Sequence, residues 1–192
     1  MSVAERTSSD EIARIVLKCL EKGGVVEIDG LGLFRPDARG SVVFVPQVRP
    51  KIFLAYAVED RNAAERLFDG FLESGFDPWM DSRKLLPGQN WPRAIEQAIS
   101  VSDFFVACFS SRSIPKRGHF QSELRYALDC ASRLPLDEVY LIPVRTEECR
   151  VPVRVQQEFQ YVDLFPDWEK GFHRILTVIR QQLRARSHRG TG

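Results

Sequence analysis

The spacing of apolar positions changes near residue 50. Before it, one helical stripe (Ile12, Ile15, Val16, Cys19, Leu20) is stopped by Gly23-Gly24. Ser8 and Glu11 have capping-box spacing ahead of it. Three short apolar runs follow, "VVEI", "LGLF" and "VVFVP", separated by the turn sequences "DG" and "PDARG". Residues 1–50 therefore read as a small helix-plus-strands module. From residue 51, apolar runs alternate with helical stripes. "KIFLAY", "FDPWMD", "DFFVACFS", "EVYLIPV" and "FQYVDL" read as strands. Between them the spacing predicts a helix over residues 62–74, with Ala63, Leu67 and Phe71 inward and Leu72 beside them. A second helix carries Ile95, Ala98 and Ile99 inward, and a third Phe120, Leu124, Ala127 and Leu128. Asp167 caps a last helix faced by Trp168, Phe172, Ile175, Leu176, Ile179 and Leu183. Nearly continuous apolar strands alternating with helices imply an α/β domain over residues 51–186, a five-stranded parallel sheet with helices on both faces. Fraying is expected after Arg184, with a disordered tail at 187–192.

Composition narrows the function. Net charge is +1 over 192 residues, which makes no general case for nucleic-acid binding or an acidic substrate. The longest apolar run, "FFVACF", is too short to cross a bilayer, and "MSVAERTSSDE" has no signal-peptide core, so a cytoplasmic location is expected. Cys19, Cys108, Cys130 and Cys149 show no CxxC spacing and read as buried free thiols. The histidines 119, 173 and 188 lack ligand spacing, so no metal is expected.

In such folds ligands bind beyond the carboxyl ends of the strands. Those ends lead into Ala57–Asp60, Asp81–Asn90, Ser110–Gly118 and Arg145–Glu158. Glu123 begins the helix after the third segment and stands about 60° from Phe120, at the edge of its buried stripe. It reads either as an acid placed near a helix start, where the macrodipole favours it, or as a functional carboxylate at the ligand edge. Trp91 reads either as a core anchor or as a flat platform for an aromatic ligand. Several chemistries have no motif: there is no GxxxxGK[ST], and no GxGxxG after the first strand. The third strand ends in Ser110-Ser111 without a phosphate-accepting Asp, and "SSRS" lacks the GxSxG elbow.

Taken together and in order, "KIFLAYAVED", "GFDPWMDSRKLLPGQNW", "AIEQAISVSDFFVACFSSRS" and "FQSELRYAL" resemble the Toll/interleukin-1 receptor (TIR) domain family, bacterial members most of all, over about residues 51–185. The resemblance implies a flavodoxin-like sheet and, in enzymatic members, cleavage of the nicotinamide–ribose bond of NAD+. It places the essential glutamate at Glu123 and the nicotinamide-stacking aromatic at Trp91. Asp81, Lys84 and Ser110 match cleft-lining positions, and the first loop, led in the family by a serine or arginine, reads Tyr56-Ala57. His119 replaces a tryptophan frequent in animal enzymes. The loop of residues 81–90, with Leu85, Leu86, Pro87 and Gly88 at its centre, corresponds to the one used in TIR–TIR contacts.

What this implies is an NAD+ glycohydrolase without other cofactors, yielding ADP-ribose or a cyclic variant, activated by self-association in bacterial defence. A non-catalytic TIR adaptor acting by assembly is the alternative. In the enzymatic reading a glutamate with an ordinary pKa of about 4.3 is ionised at neutral pH and stabilises an oxocarbenium-like ribose. The N-terminal "GGVVEIDGLGLF" resembles, more weakly, HU/IHF-type nucleoid proteins. There is no room for their DNA-wrapping ribbon between Phe34 and Pro50, and residues 1–50 carry seven basic and seven acidic residues. That neutrality favours a protein-assembly module over a DNA tether.

Overall fold

The computed structural model describes residues 9–28, 31–37, 39–46, 48–85, 87–114, 118–135 and 137–189. Ser8, Leu86 and residues 190–192 thus lie outside the described residues, as does the side chain of Ile12. The chain divides into two compact units, Met1–Arg49 and Pro50–Gly192.

The first unit holds α1 (Ser9–Glu21) and an antiparallel sheet of β1 (Val26–Ile28), β2 (Gly32–Pro36) and β3 (Val42–Pro46), in that order. Gly23, at φ +75°, takes the left-handed turn that ends α1, and its amide donates to the Leu20 carbonyl at 2.9 Å. Of the expected helical stripe, Leu20 is buried and Val16 half-buried, whereas Ile15 is 62% exposed and Cys19 is exposed. A sheet of three short strands is too small to cover the whole stripe.

The second unit runs β4 (Lys51–Ala55), a 3-10 turn (Val58–Asp60), α2 (Arg61–Glu73), β5 (Asp77–Trp79), α3 (Asp81–Lys84), α4 (Trp91–Ser100), β6 (Phe104–Phe109), α5 (His119–Ala131), β7 (Leu141–Arg145), α6 (Val153–Glu158), β8 (Val162–Asp163) and α7 (Trp168–Arg189). The five strands are parallel, in the order β5-β4-β6-β7-β8. Side chains alternate between two cores. Ile52, Leu54, Phe104, Val106, Ile142 and Val144 face α2 and α7. Phe53, Ala55, Phe105, Ala107, Phe109 and Leu141 face α4 and α5. All six residues of β6 are buried.

Two expectations are corrected. The inward face of α2 is Ala64, Leu67, Phe68 and Phe71, while Leu72 is 47% exposed. Those four recur at i, i+3, i+4 and i+7, the stripe that stays on one side of the helix, whereas steps of four alone drift around it. Helix α7 continues through Arg189 rather than fraying after Arg184. It starts as the sequence suggests, with the Lys170 amide donating to Asp167 Oδ1 at 3.0 Å.

Helix α7 reaches the sheet edge because Gly171 has no side chain. A Cβ there would stand 2.3 Å from the Asp163 carbonyl oxygen of β8. Gly171→Ala should force α7 off β8 and cost roughly 1–3 kcal/mol. Calorimetry should show the melting transition of this unit lowered by about 2–4 °C for each kcal/mol.

Candidate active site

The chain leaves β4 toward the β5 edge and returns across it to β6, so the crevice of the sheet opens between the carboxyl ends of β4 and β6. From β4 come Tyr56, Ala57 and Asp60, from β5 Asp81, and from β6 Ser110 and the turn leading to α5. Gly118 starts that helix at φ +152° and ψ −159°, backbone space that a side chain all but forbids. Its conformation fixes where α5 begins.

Glu123 is the fifth residue of α5, so it lies in the second turn, beyond the amides that make a helix N-terminus attractive to acids. It is 9% exposed, between buried Phe120 and Leu124. No hydrogen bond or ion pair to a described residue holds its carboxylate. Burial, and secondarily the like charge of Asp81, push its pKa up to about 8. The expectation of a glutamate with an ordinary pKa is corrected, because α5 turns this carboxyl inward where water solvates the anion poorly.

Asp81 is tied down. The Tyr56 hydroxyl donates to Asp81 Oδ1 at 2.6 Å and lies 3.1 Å from Ser82 Oγ. Burial and that bond to Asp81 push the Tyr56 phenol up to about 12. Tyr56, Asp81 and Glu123 thus gather at one place on the crevice. Ala57 is buried, and its carbonyl accepts the Asp60 amide at 2.8 Å, so it contributes backbone. Trp91 opens α4 and is 38% exposed, but its ring packs against His119, centroids 4.1 Å apart and planes tilted by 45°. The platform expected at Trp91 is therefore half covered by His119.

Lys84 and Ser110 do not join this group. Lys84 reaches back along β5 to Asp77 at 3.5 Å. Ser110 is fully buried, its hydroxyl donating to Asp60 Oδ2 at 2.7 Å and accepting the Ser113 amide at 3.1 Å. Of the loop, Leu85 is half-buried on the α4–α5 core, while Pro87 and Gly88 are exposed, Gly88 at φ +86°.

A family model described as TIR domain matches residues 52–176. The chain belongs to the TIR domain family. The TIR domain of the Toll-related receptor TRR-2 from Hydra magnipapillata is 23% identical, with a TM-score of 0.54 over 66% of this chain and 94% of that one. The TIR domains of the activated Roq1 resistosome, which recognises the effector XopQ, are 19% identical, with a TM-score of 0.56 over 68% of this chain and 99% of theirs. At such identities the likeness is one of fold. None of the curated proteins compared with the chain matches it. No helix among the described residues is long and apolar enough to cross a membrane.

Two acids of the TIR unit were not singled out by sequence. Asp60 is 4% exposed and sits at the N-cap of α2 without capping it, because its carboxylate accepts from Ser110 instead. Burial raises its pKa and the Ser110 hydrogen bond opposes the rise. Glu147, after β7, accepts the Ser111 amide at 2.9 Å as well as its hydroxyl, and that bonding lowers its pKa. Together they clamp the "SSRS" turn ahead of α5. An acid just before a helix reads as a cap in sequence, so the only available signal for Asp60 was its place on a ligand-edge segment.

The raised pKa of Glu123 has a stability consequence. Folding favours the protonated form, so this stabilisation is complete below about pH 4.5 and is lost as pH rises through about 8. Glu123→Gln, which keeps the shape without the charge, should match wild type near pH 5. By pH 8 it should be the more stable protein, the gap widening by on the order of 1 kcal/mol per pH unit between. Urea unfolding at several pH values measures this; a constant gap would contradict it.

Proposed function

We propose that the TIR unit cleaves the nicotinamide–ribose bond of NAD+, releasing nicotinamide and either ADP-ribose or a cyclic form. The supporting observation is Glu123, a buried carboxyl without a partner among the described residues, at the ligand edge of a TIR sheet. The nicotinamide of NAD+ is already cationic and leaves neutral, so no acid is required for its departure. The ribose carbon left behind is oxocarbenium-like and needs negative charge beside it. Glu123 as the anion supplies that charge in a water-poor setting and accepts hydrogen bonds from ribose hydroxyls. Asp81, held by Tyr56, keeps a second acid near the cationic substrate. For nicotinamide to stack on Trp91, His119 has to swing off its ring. Water as acceptor gives ADP-ribose, and an adenine nitrogen of the same molecule gives the cyclic product. A bacterial defence role and a cytoplasmic setting accompany this reading through family resemblance.

With the carboxyl pushed up to about 8, the anion is the minority form at pH 7. For NAD+, kcat/KM should therefore climb nearly tenfold per pH unit below about 8 and level off above it. The cationic nicotinamide ring favours the anion, so the kcat profile should lie at lower pH. Glu123→Gln should lose activity by at least a hundredfold, the usual scale for a charge-stabilising group. Chromatography of the products from NAD+ tests all three. A Gln variant as fast as wild type would assign the chemistry elsewhere.

The covered face of Trp91 favours a second reading, a TIR adaptor that assembles without catalysis. The two meet in the loop of residues 81–90. Its exposed tip suits contact with a neighbouring TIR unit, and such contact would offset the entropy of ordering the loop and help uncover the site. Specific activity should then rise with protein concentration, and Pro87→Asp should flatten that dependence while circular dichroism stays unchanged. Gly88 is the poorer probe, since any side chain strains its φ of +86°. Intact NAD+ at every concentration would leave the adaptor reading.

A further inference from the structure

The described residues of the Met1–Arg49 unit bury too little to stand alone. Among its described residues Leu20 is the one buried hydrophobic side chain. A domain of this size is marginal even when well packed. Its apolar surface instead lies open along β3. Cross-strand pairing sets Val26, Phe34 and Phe44 side by side, with the Phe34 and Phe44 rings 4.7 Å apart. Val42 shares that face by the two-residue alternation of a strand. Helix α1 lies against β1 and β2. Val42 and Phe44 are left 49% and 43% exposed, and Val45, on the opposite face, is 41% exposed.

The two edges of this sheet differ. β1 has three residues and carries exposed Glu27, a blunted edge. β3 presents Val42-Val43-Phe44-Val45, without a charge, to an edge that pairs with no other described strand. Proteins ordinarily place lysine, an inward acid or a bulge on such an edge to prevent pairing. Charge also bears on what sits there. With seven basic and seven acidic residues in positions 1–50, the module offers no field for a nucleic acid or a charged protein and no net repulsion toward its own kind.

We infer that β3 pairs antiparallel with β3 of a second copy of this chain, joining two three-stranded sheets into one of six strands. The twofold arrangement is self-complementary, the usual form for a homodimer. It brings Val42 and Phe44 of both copies together at the centre of the joined sheet, and no like charges oppose across it. Pro46, which has no N–H, ends the ladder. The inference holds whether or not the TIR unit cleaves NAD+. Its consequence for that unit is proximity: two TIR units on one dimer meet at millimolar effective concentration, on the scale of short tethers.

Sedimentation of the full chain tests the pairing. Wild type should run at twice the 22.0 kDa chain mass. Val42→Lys/Val45→Lys and Val42→Glu/Val45→Glu should each run at 22.0 kDa, and an equimolar mixture of the two should return to twice that mass, since opposite charges then face each other. Recovery in the mixture shows that the variants fold. A monomeric wild type, a Lys variant that stays dimeric, or a mixture that stays monomeric would each overturn the inference. Hydrogen exchange on wild type needs no variant: amides of residues 42–45 should exchange at least tenfold more slowly in concentrated than in hundredfold-diluted protein. Equal rates would overturn it independently.

Discussion

Burial of β6 on both faces constrains everything else in the larger unit. Six consecutive residues, Phe104 to Phe109, have no solvent on either side. A strand in that position needs hydrogen-bonded neighbours on both edges and a helical layer on both faces, which β4 and β7, α2 and α7, and α4 and α5 supply. Parallel strands joined by helical crossovers deliver every loop that follows a strand to the same edge. That is why Tyr56, Asp81 and Glu123, far apart in sequence, converge. Rigid strands aim the backbone at the crevice, and the connections beyond them are free to carry chemistry.

The site works against the stability of its own scaffold. Glu123 occupies a helical position that any apolar residue would fill more favourably, and its carboxyl is held where the anion is poorly solvated. The neighbouring acids are treated differently. Asp81 receives the Tyr56 hydroxyl, Asp60 the Ser110 hydroxyl, and Glu147 the Ser111 amide and hydroxyl. Three carboxylates are thus satisfied and hold the frame, and Glu123 has no such bond to a described residue. Burial alone does not draw that contrast, since Asp60 is the more deeply buried of the two.

The small unit answers to the opposite constraint. Where the TIR unit has more apolar side chains than its surface can show, the Met1–Arg49 unit has too few layers to hide those it has. A second copy supplies the missing layer through backbone pairing, without requiring a larger core. A chain that joins a self-covering TIR fold to a module completed by association brings its TIR units together as its own concentration rises.

Much of this was legible in the chain itself. Continuous apolar runs and helical spacing marked the two organisations, the five strands and the inward faces of α5 and α7, because hydrophobic burial acts on each element separately and leaves its mark residue by residue. Motif order led to the TIR family. On α2 the expected Leu67 and Phe71 do face inward, but Ala64 and Phe68 join them in place of Ala63 and Leu72, because steps of four and steps of three plus four diverge only slightly over three turns. Tertiary structure alone decided the rest. It placed Lys84 on Asp77, locked Ser110 onto Asp60, laid His119 over Trp91, and left Glu123 without a partner among the described residues. Those outcomes depend on which side chains of distant segments meet and which are kept from water. Local sequence sets an element's preference, but the pKa of a carboxyl and the partner of a hydroxyl belong to the surroundings that the folded chain builds around them.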